Sequence, residues 1–139
     1  MNRKLFKKFE KVCKSAWEEM SKTGDSRKPK STHPFENCCP ACHIAIGVVY
    51  EVEDRVLNCR YCPIDKWRNI ALDPDYEYYY GNAVCDSNCE GTAFKNQPYY
   101  EWKFADEEHR KIYAKEISKM SWTYLPEYKD ADIPMPEED

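Results

Sequence analysis

Glycine is scarce in this chain, with four in 139 residues, and so are histidine, with three, and leucine, with only Leu5, Leu57, Leu72 and Leu125. The shortage of glycine goes with the absence of any phosphate-cradling loop, and the shortage of histidine leaves no two-His metal motif and no Ser/His/Asp grouping. Long apolar runs are missing too. No stretch approaches the roughly 18 apolar residues of a membrane helix, and the opening "MNRKLFKKFEKVC" lacks the apolar segment of a signal peptide. The expectation is a single soluble domain working inside the cell. A core poor in aliphatic side chains must be built from rings or stapled by something else. Eleven Tyr, four Trp and five Phe supply the rings, and eight Cys supply the staple.

Charge is distributed unevenly. Residues 1–34 hold ten Lys and Arg against four acids, whereas residues 35–139 hold eleven against twenty-one. A basic front end suits nucleic acid, or it pairs with the acidic body. The discriminating feature is whether its lysines face outward together or meet those acids.

Residues 1–22 read as a basic amphipathic helix, with Phe6, Phe9, Cys13, Trp17 and Met20 at spacings of three and four and Lys4, Lys7, Lys8, Lys11 and Lys14 on the other face. Residues 23–36, with Gly24, Pro29 and Pro34, read as a linker. Residues 37–125 form the main domain. In it "HIAIGVVYEVEDRVLNC" predicts a β-hairpin: Ile44, Ile46, Val48, Tyr50 and Val52 alternate, "EDR" turns and Val56–Leu57 returns. "PIDKWRNIALD" predicts a short helix ended by Pro74, and residues 106–122 a second long one with Ile112, Tyr113, Ile117 and Met120 as its stripe. The proline-rich acidic tail, 126–139, is expected to be extended or disordered. The fold class is therefore α+β: a small zinc-ribbon-like hairpin packed against an N-terminal and a C-terminal helix.

The cysteines carry the chemistry. Cys39-x2-Cys42-x16-Cys59-x2-Cys62 has the spacing of a four-cysteine zinc site. Each Cys-x-x-Cys turn offers two sulfurs to one side of an ion, and two turns complete a tetrahedron. Such a site is closed, so its Zn²⁺ is structural. An open deaminase-type site would need a His-x-Glu beside Pro-Cys-x-x-Cys, and no such Glu follows "CPACH". Cys38, Cys85 and Cys89 remain over; they serve as additional ligands, sit near the first site or fill the core, and His43 beside Cys42 is a further candidate for ligand or supporting contact. Cys13 reads as core. His33 and His109 read as solvated. The run Tyr76, Tyr78, Tyr79 and Tyr80 alternates with Asp73, Asp75 and Glu77, which repel phosphate, so it suits core packing or a protein partner better than base stacking.

The order of motifs resembles a group of small zinc-type proteins of phages and prophages of Gram-positive bacteria. The residues that carry the likeness are "WEEM" at 17–20, "CPAC" at 39–42, "CRYCPIDKW" at 59–67, a Cys at 85 or 89, "YYEW" at 99–102 and "RKIYAKEISKM" at 110–120. Lys66 departs from the pattern by separating Asp65 from Trp67. The resemblance implies a viral accessory protein in the cytoplasm of a bacterial host cell, with a structural Zn²⁺ and no catalytic residues. On this reading the chain is not an enzyme. It binds a host protein through its acidic, Tyr-rich surface, inhibiting or redirecting it in host takeover or anti-defence; the alternative is a nucleic-acid-binding zinc ribbon using the basic first helix. No membrane partner is expected.

Overall fold

The computed structural model describes residues 1–49, 58–76, 83–86 and 97–136. Five helices dominate them: α1 Arg3–Thr23, α2 Pro40–Val49, α3 Asp65–Leu72, α4 Pro98–Phe104 and α5 Glu107–Ser118. Short single turns at Lys30–Thr32, Glu36–Cys38, Val84–Asp86 and Pro126–Tyr128 join or follow them.

The α+β reading is overturned. Among the described residues there is no strand, only an isolated antiparallel bridge between Ile64 and Trp122. Residues 44–49, expected as the first strand of the hairpin, are the body of α2; residues 50–57 lie outside the described set. The physical reason is in the sequence. The alternation Ile44, Ile46, Val48 competes with a second pattern, Ala41, Ile44, Ala45 and Val48, at helical spacing. Ala41, Ile44 and Ala45 are the ones buried. Pro40 opens the helix, where its fixed φ and missing N–H cost nothing.

α1 forms as its pattern predicts, buries Phe6, Phe9, Cys13, Ala16, Trp17 and Met20, and is capped at both ends. The Asn2 side chain accepts the Leu5 N–H at 2.8 Å. Gly24 ends the helix in the left-handed region at φ 70°, its N–H donating to the Met20 carbonyl. A methyl group there would lie 2.5 Å from Glu107 Cγ and 2.8 Å from the Glu107 carbonyl oxygen. Gly24→Ala is therefore expected to lower stability by about 1–3 kcal/mol, strain and overpacking acting together, and a thermal melt will show it.

α1 packs chiefly on α5, and α5 on α4. α5 is capped by the Asp106 carboxylate, which accepts the His109 N–H at 2.9 Å, and ends at Ser118. Ala114, Ile117 and Met120 face the core, whereas Ile112, expected on the stripe, is exposed. One core cluster joins Cys13, Trp17, Trp67, Trp102 and Ile117 around Cys59 and Cys62; a second joins Phe6, Phe9, Phe35, Ile44, Tyr128 and Ile133. Rings fill both: Trp17 meets Trp102 edge-on at 5.0 Å, and Phe6 stacks on Tyr128 at 5.7 Å.

Two stretches are more ordered than their composition predicts. Thr32 and Phe35 of the expected linker are buried, and so are Tyr128 and Ile133 of the expected tail. Ile133 seats against Gly47 of α2, where a Cβ would come within 2.8 Å of it. The Met1 amine donates to the carbonyls of Tyr128 and Ala131, so both ends of the described chain meet in the second cluster.

Candidate metal centre

Each Cys-x-x-Cys pair sits on a tight turn. Cys39 is extended (φ −136°, ψ 107°) just ahead of α2, and Cys42 lies in that helix's first turn. The Cys42 N–H points back to Cys39 Sγ at 3.5 Å. In the second pair the Cys62 N–H donates to the Cys59 carbonyl at 3.2 Å, closing the turn. Cys62 sulfur accepts the Ile64 N–H, and Cys59 Sγ accepts the Val84 N–H at 3.2 Å. Backbone N–H groups aimed at sulfur favour its thiolate form.

The four cysteines line one small cavity of about 30 Å³, and Cys85 lines it with them. This volume has room for a single ion or for water. Two buried polar atoms beside it, Asn58 Oδ1 and Trp67 Nε1, have no hydrogen-bond partner among the described residues, which is unusual for buried polar groups. A second cavity of about 390 Å³ adjoins the first and is lined by Cys13, Cys38, Cys39, Cys42 and Cys85 together with Lys28, Trp17 and Tyr99.

The electrostatics follow from crowding. Burial, then the nearby sulfurs of Cys59 and Cys39, push the Cys62 and Cys85 thiols well above their ordinary range. Cys42 is raised by its hydrogen bond to Cys39, then by burial. Cys39 moves the opposite way, well below its ordinary value, because the thiols of Cys13 and Cys42 both hydrogen-bond it. One thiolate is thus stabilised and its neighbours resist ionising. A divalent cation held at the centre would invert that balance for all of them. Lys28 reaches this region from the loop after α1. Burial works to lower its pKa, but Cys39, Tyr99 and Cys85 outweigh burial and hold the ammonium charged. Its Nζ lies 4.7 Å over the Tyr99 ring and donates to the Asn37 carbonyl at 3.2 Å.

Among the described residues no three His, Cys, Asp or Glu side chains already stand in the geometry of a bound ion. The fit to zinc rests on the donor set: four soft sulfurs from two knuckles around an ion-sized space, with N–H groups directed at three of them.

The remaining site residues fall in different places. Cys85 joins the cluster, on the turn Val84–Asp86. Cys38 lines only the larger cavity and the surface hollow beyond it. Cys89 lies outside the described residues, as do Tyr78, Tyr79 and Tyr80; Tyr76 is half-buried and packs on the first core cluster. His43 borders neither cavity. Its ring packs against Phe9 and Phe35, and its Nδ1 accepts the Glu36 N–H at 3.1 Å. Burial lowers its pKa, as suits a neutral ring accepting that bond. His33 and His109 are exposed. Sequence reasoning missed Cys13 and Lys28 as neighbours of the site. Cys13 was hidden by its place in an apolar stripe, and the one signal for it was a surplus of cysteines beyond the two pairs.

No protein-family model matches this chain, and no curated protein or solved structure proves similar to it. No described helix is long and apolar enough to cross a membrane.

Proposed function

We propose that this chain is a non-catalytic binding protein whose fold is clamped by a structural Zn²⁺ on Cys39, Cys42, Cys59 and Cys62, and whose working face is the outer side of α1, directed at nucleic acid. A phage-type accessory role in the cytoplasm of a bacterial host goes with it, on the motif resemblance. The observation that carries the reading is the lysine row. Lys4, Lys7, Lys8 and Lys11 are all exposed and, among the described residues, make no ion pair. Among the described residues they do not meet the acids of the body. α1 also carries no acid in its first turn, where Arg3 and Lys4 oppose the helix dipole. Cations there work against helix stability, so the row is explained better by a polyanion outside than by the fold. The closed zinc site leaves no position for a reacting water.

The test is binding of a labelled duplex of mixed sequence, followed by fluorescence anisotropy across salt. Four phosphate contacts predict a fall in affinity of about two orders of magnitude between 50 and 200 mM salt. Reversing the row with K4E, K7E, K8E and K11E should abolish binding and leave the fold intact. A salt-independent response, or none at low salt, would rule the reading out.

A second reading, capture of a host protein, draws on Phe104 and Ile112, which are 72% and 63% exposed at the end of α4 and on α5. Large apolar side chains so exposed suit a protein partner. It takes precedence if the duplex is not bound.

A further inference from the structure

The four-cysteine clamp leaves three described thiols without a role: Cys13, Cys38 and Cys85. They are not scattered. All three line the larger cavity, and Cys39, Cys42 and Cys85 line the smaller one as well. Resting on the zinc reading above and extending it, we propose that this larger cavity takes a second zinc ion, held by Cys13, Cys38 and Cys85 with Cys39 shared between the two ions.

Two four-coordinate ions need eight metal–sulfur bonds. Seven of the chain's eight cysteines are described and all seven are free; besides Cys42, the four that line the larger cavity, Cys13, Cys38, Cys39 and Cys85, are enough for one such ion. Cys39, Cys42 and Cys85 each line both cavities, and of the three Cys39 is the one the Cys13 thiol hydrogen-bonds, which places it to be shared. The contributions come from separate elements: Cys13 from α1, Cys38 from the turn before α2 and Cys85 from the turn Val84–Asp86. Consecutive cysteines do not readily face one ion together. Here Asn37 and Cys38 both take positive φ, 55° and 52°, and with that backbone Cys38 and Cys39 both border the larger cavity. Ion binding draws the three side chains inward by χ1 rotation.

Charge and hydrogen bonding agree with this assignment. Seven thiolates around two Zn²⁺ leave a net negative cluster, and such a cluster in an apolar core calls for a cation and donors. Lys28 lines the larger cavity and interacts with Cys39 and Cys85. The Trp67 indole N–H, on a residue only 4% exposed that borders both cavities, has no acceptor among the described residues. It is a donor ready for a bridging or terminal thiolate.

The experiment is metal analysis of the full-length chain, purified with zinc and freed of excess by gel filtration, with circular dichroism on each variant. Two zinc per chain is the expected result. Cys13→Ser and Cys38→Ser should each retain one zinc and a helical spectrum, because the inner ion keeps its four ligands; Cys89→Ser should retain two. Cobalt(II) should saturate its tetrahedral thiolate absorbance at two equivalents in the parent and one in Cys38→Ser. One zinc in the parent overturns the second ion and leaves the clamp standing, whereas none overturns both. Two zinc retained in Cys13→Ser and Cys38→Ser alike, or one lost in Cys89→Ser, overturns this ligand set.

Discussion

Cys62→Ser is expected to release zinc and unfold the domain. A structural Zn²⁺ on thiolates contributes about 10–16 kcal/mol of apparent binding energy near neutral pH, against a total stability of about 5–15 kcal/mol for a domain of ordinary size. Serine keeps the volume but supplies a hydroxyl that is protonated at neutral pH, so most of that contribution goes. Cys62 is also a junction of the fold. Its sulfur accepts the Ile64 N–H, and its carbonyl accepts the Arg68 guanidinium at 3.1 Å, which in turn pairs with Asp65 at 2.7 Å. The loss therefore reaches α3 at once. A chelating dye will register zinc release and circular dichroism the lost helix; a variant with unchanged melting and full zinc content sinks the clamp.

Tyr128→Ala is expected to cost about 3–5 kcal/mol, the usual penalty for deleting a buried ring, and to weaken zinc binding without removing a ligand. Tyr128 is wholly buried, stacks on Phe6 and meets Tyr124 edge-on at 5.8 Å. Its hydroxyl donates to the Tyr61 carbonyl at 2.6 Å, inside the Cys59–Cys62 turn. Burial pushes the phenol far above its ordinary pKa, so it stays a donor. Tyr128→Phe separates the two contributions. It keeps the ring, loses one hydrogen bond worth roughly 1 kcal/mol and leaves the Tyr61 carbonyl unpaired. Denaturant melts with and without added zinc measure both effects. If Tyr128→Ala melts like the parent, the C-terminal segment is not part of the core.

How much of this was legible in the sequence depended on which signals competed. α1 and α5 were readable because spacings of three and four, capping residues and charge placement all agree there. The gathering of Cys39, Cys42, Cys59 and Cys62 about one space was readable from spacing alone. α2 was not, because an all-apolar run satisfies periods of two and of three to four together, and only what packs on it decides. Ala41 and Ala45 carried the helical pattern, but alanine is easily passed over beside isoleucine and valine. The C-terminal segment was read from composition as extended or disordered, but composition did not show its anchoring: Tyr128 and Ile133, two residues among many polar ones, are buried, and the Met1 amine bonds the Tyr128 and Ala131 carbonyls. Cys13 and Lys28 could not be placed at the site from sequence, since what brings them there is the packing of α1 and the path of the loop after it.

The crowd of indoles around the thiols has a practical side. Trp17, Trp67 and Trp102 all belong to the core cluster that holds Cys59 and Cys62, and Trp67 borders both cavities. The chain thus carries its own optical gauge for whatever occupies that space. A coloured ion such as cobalt(II) bound there would dim the emission of these indoles by energy transfer, whereas colourless zinc would not, and the difference would read out occupancy in an unlabelled protein.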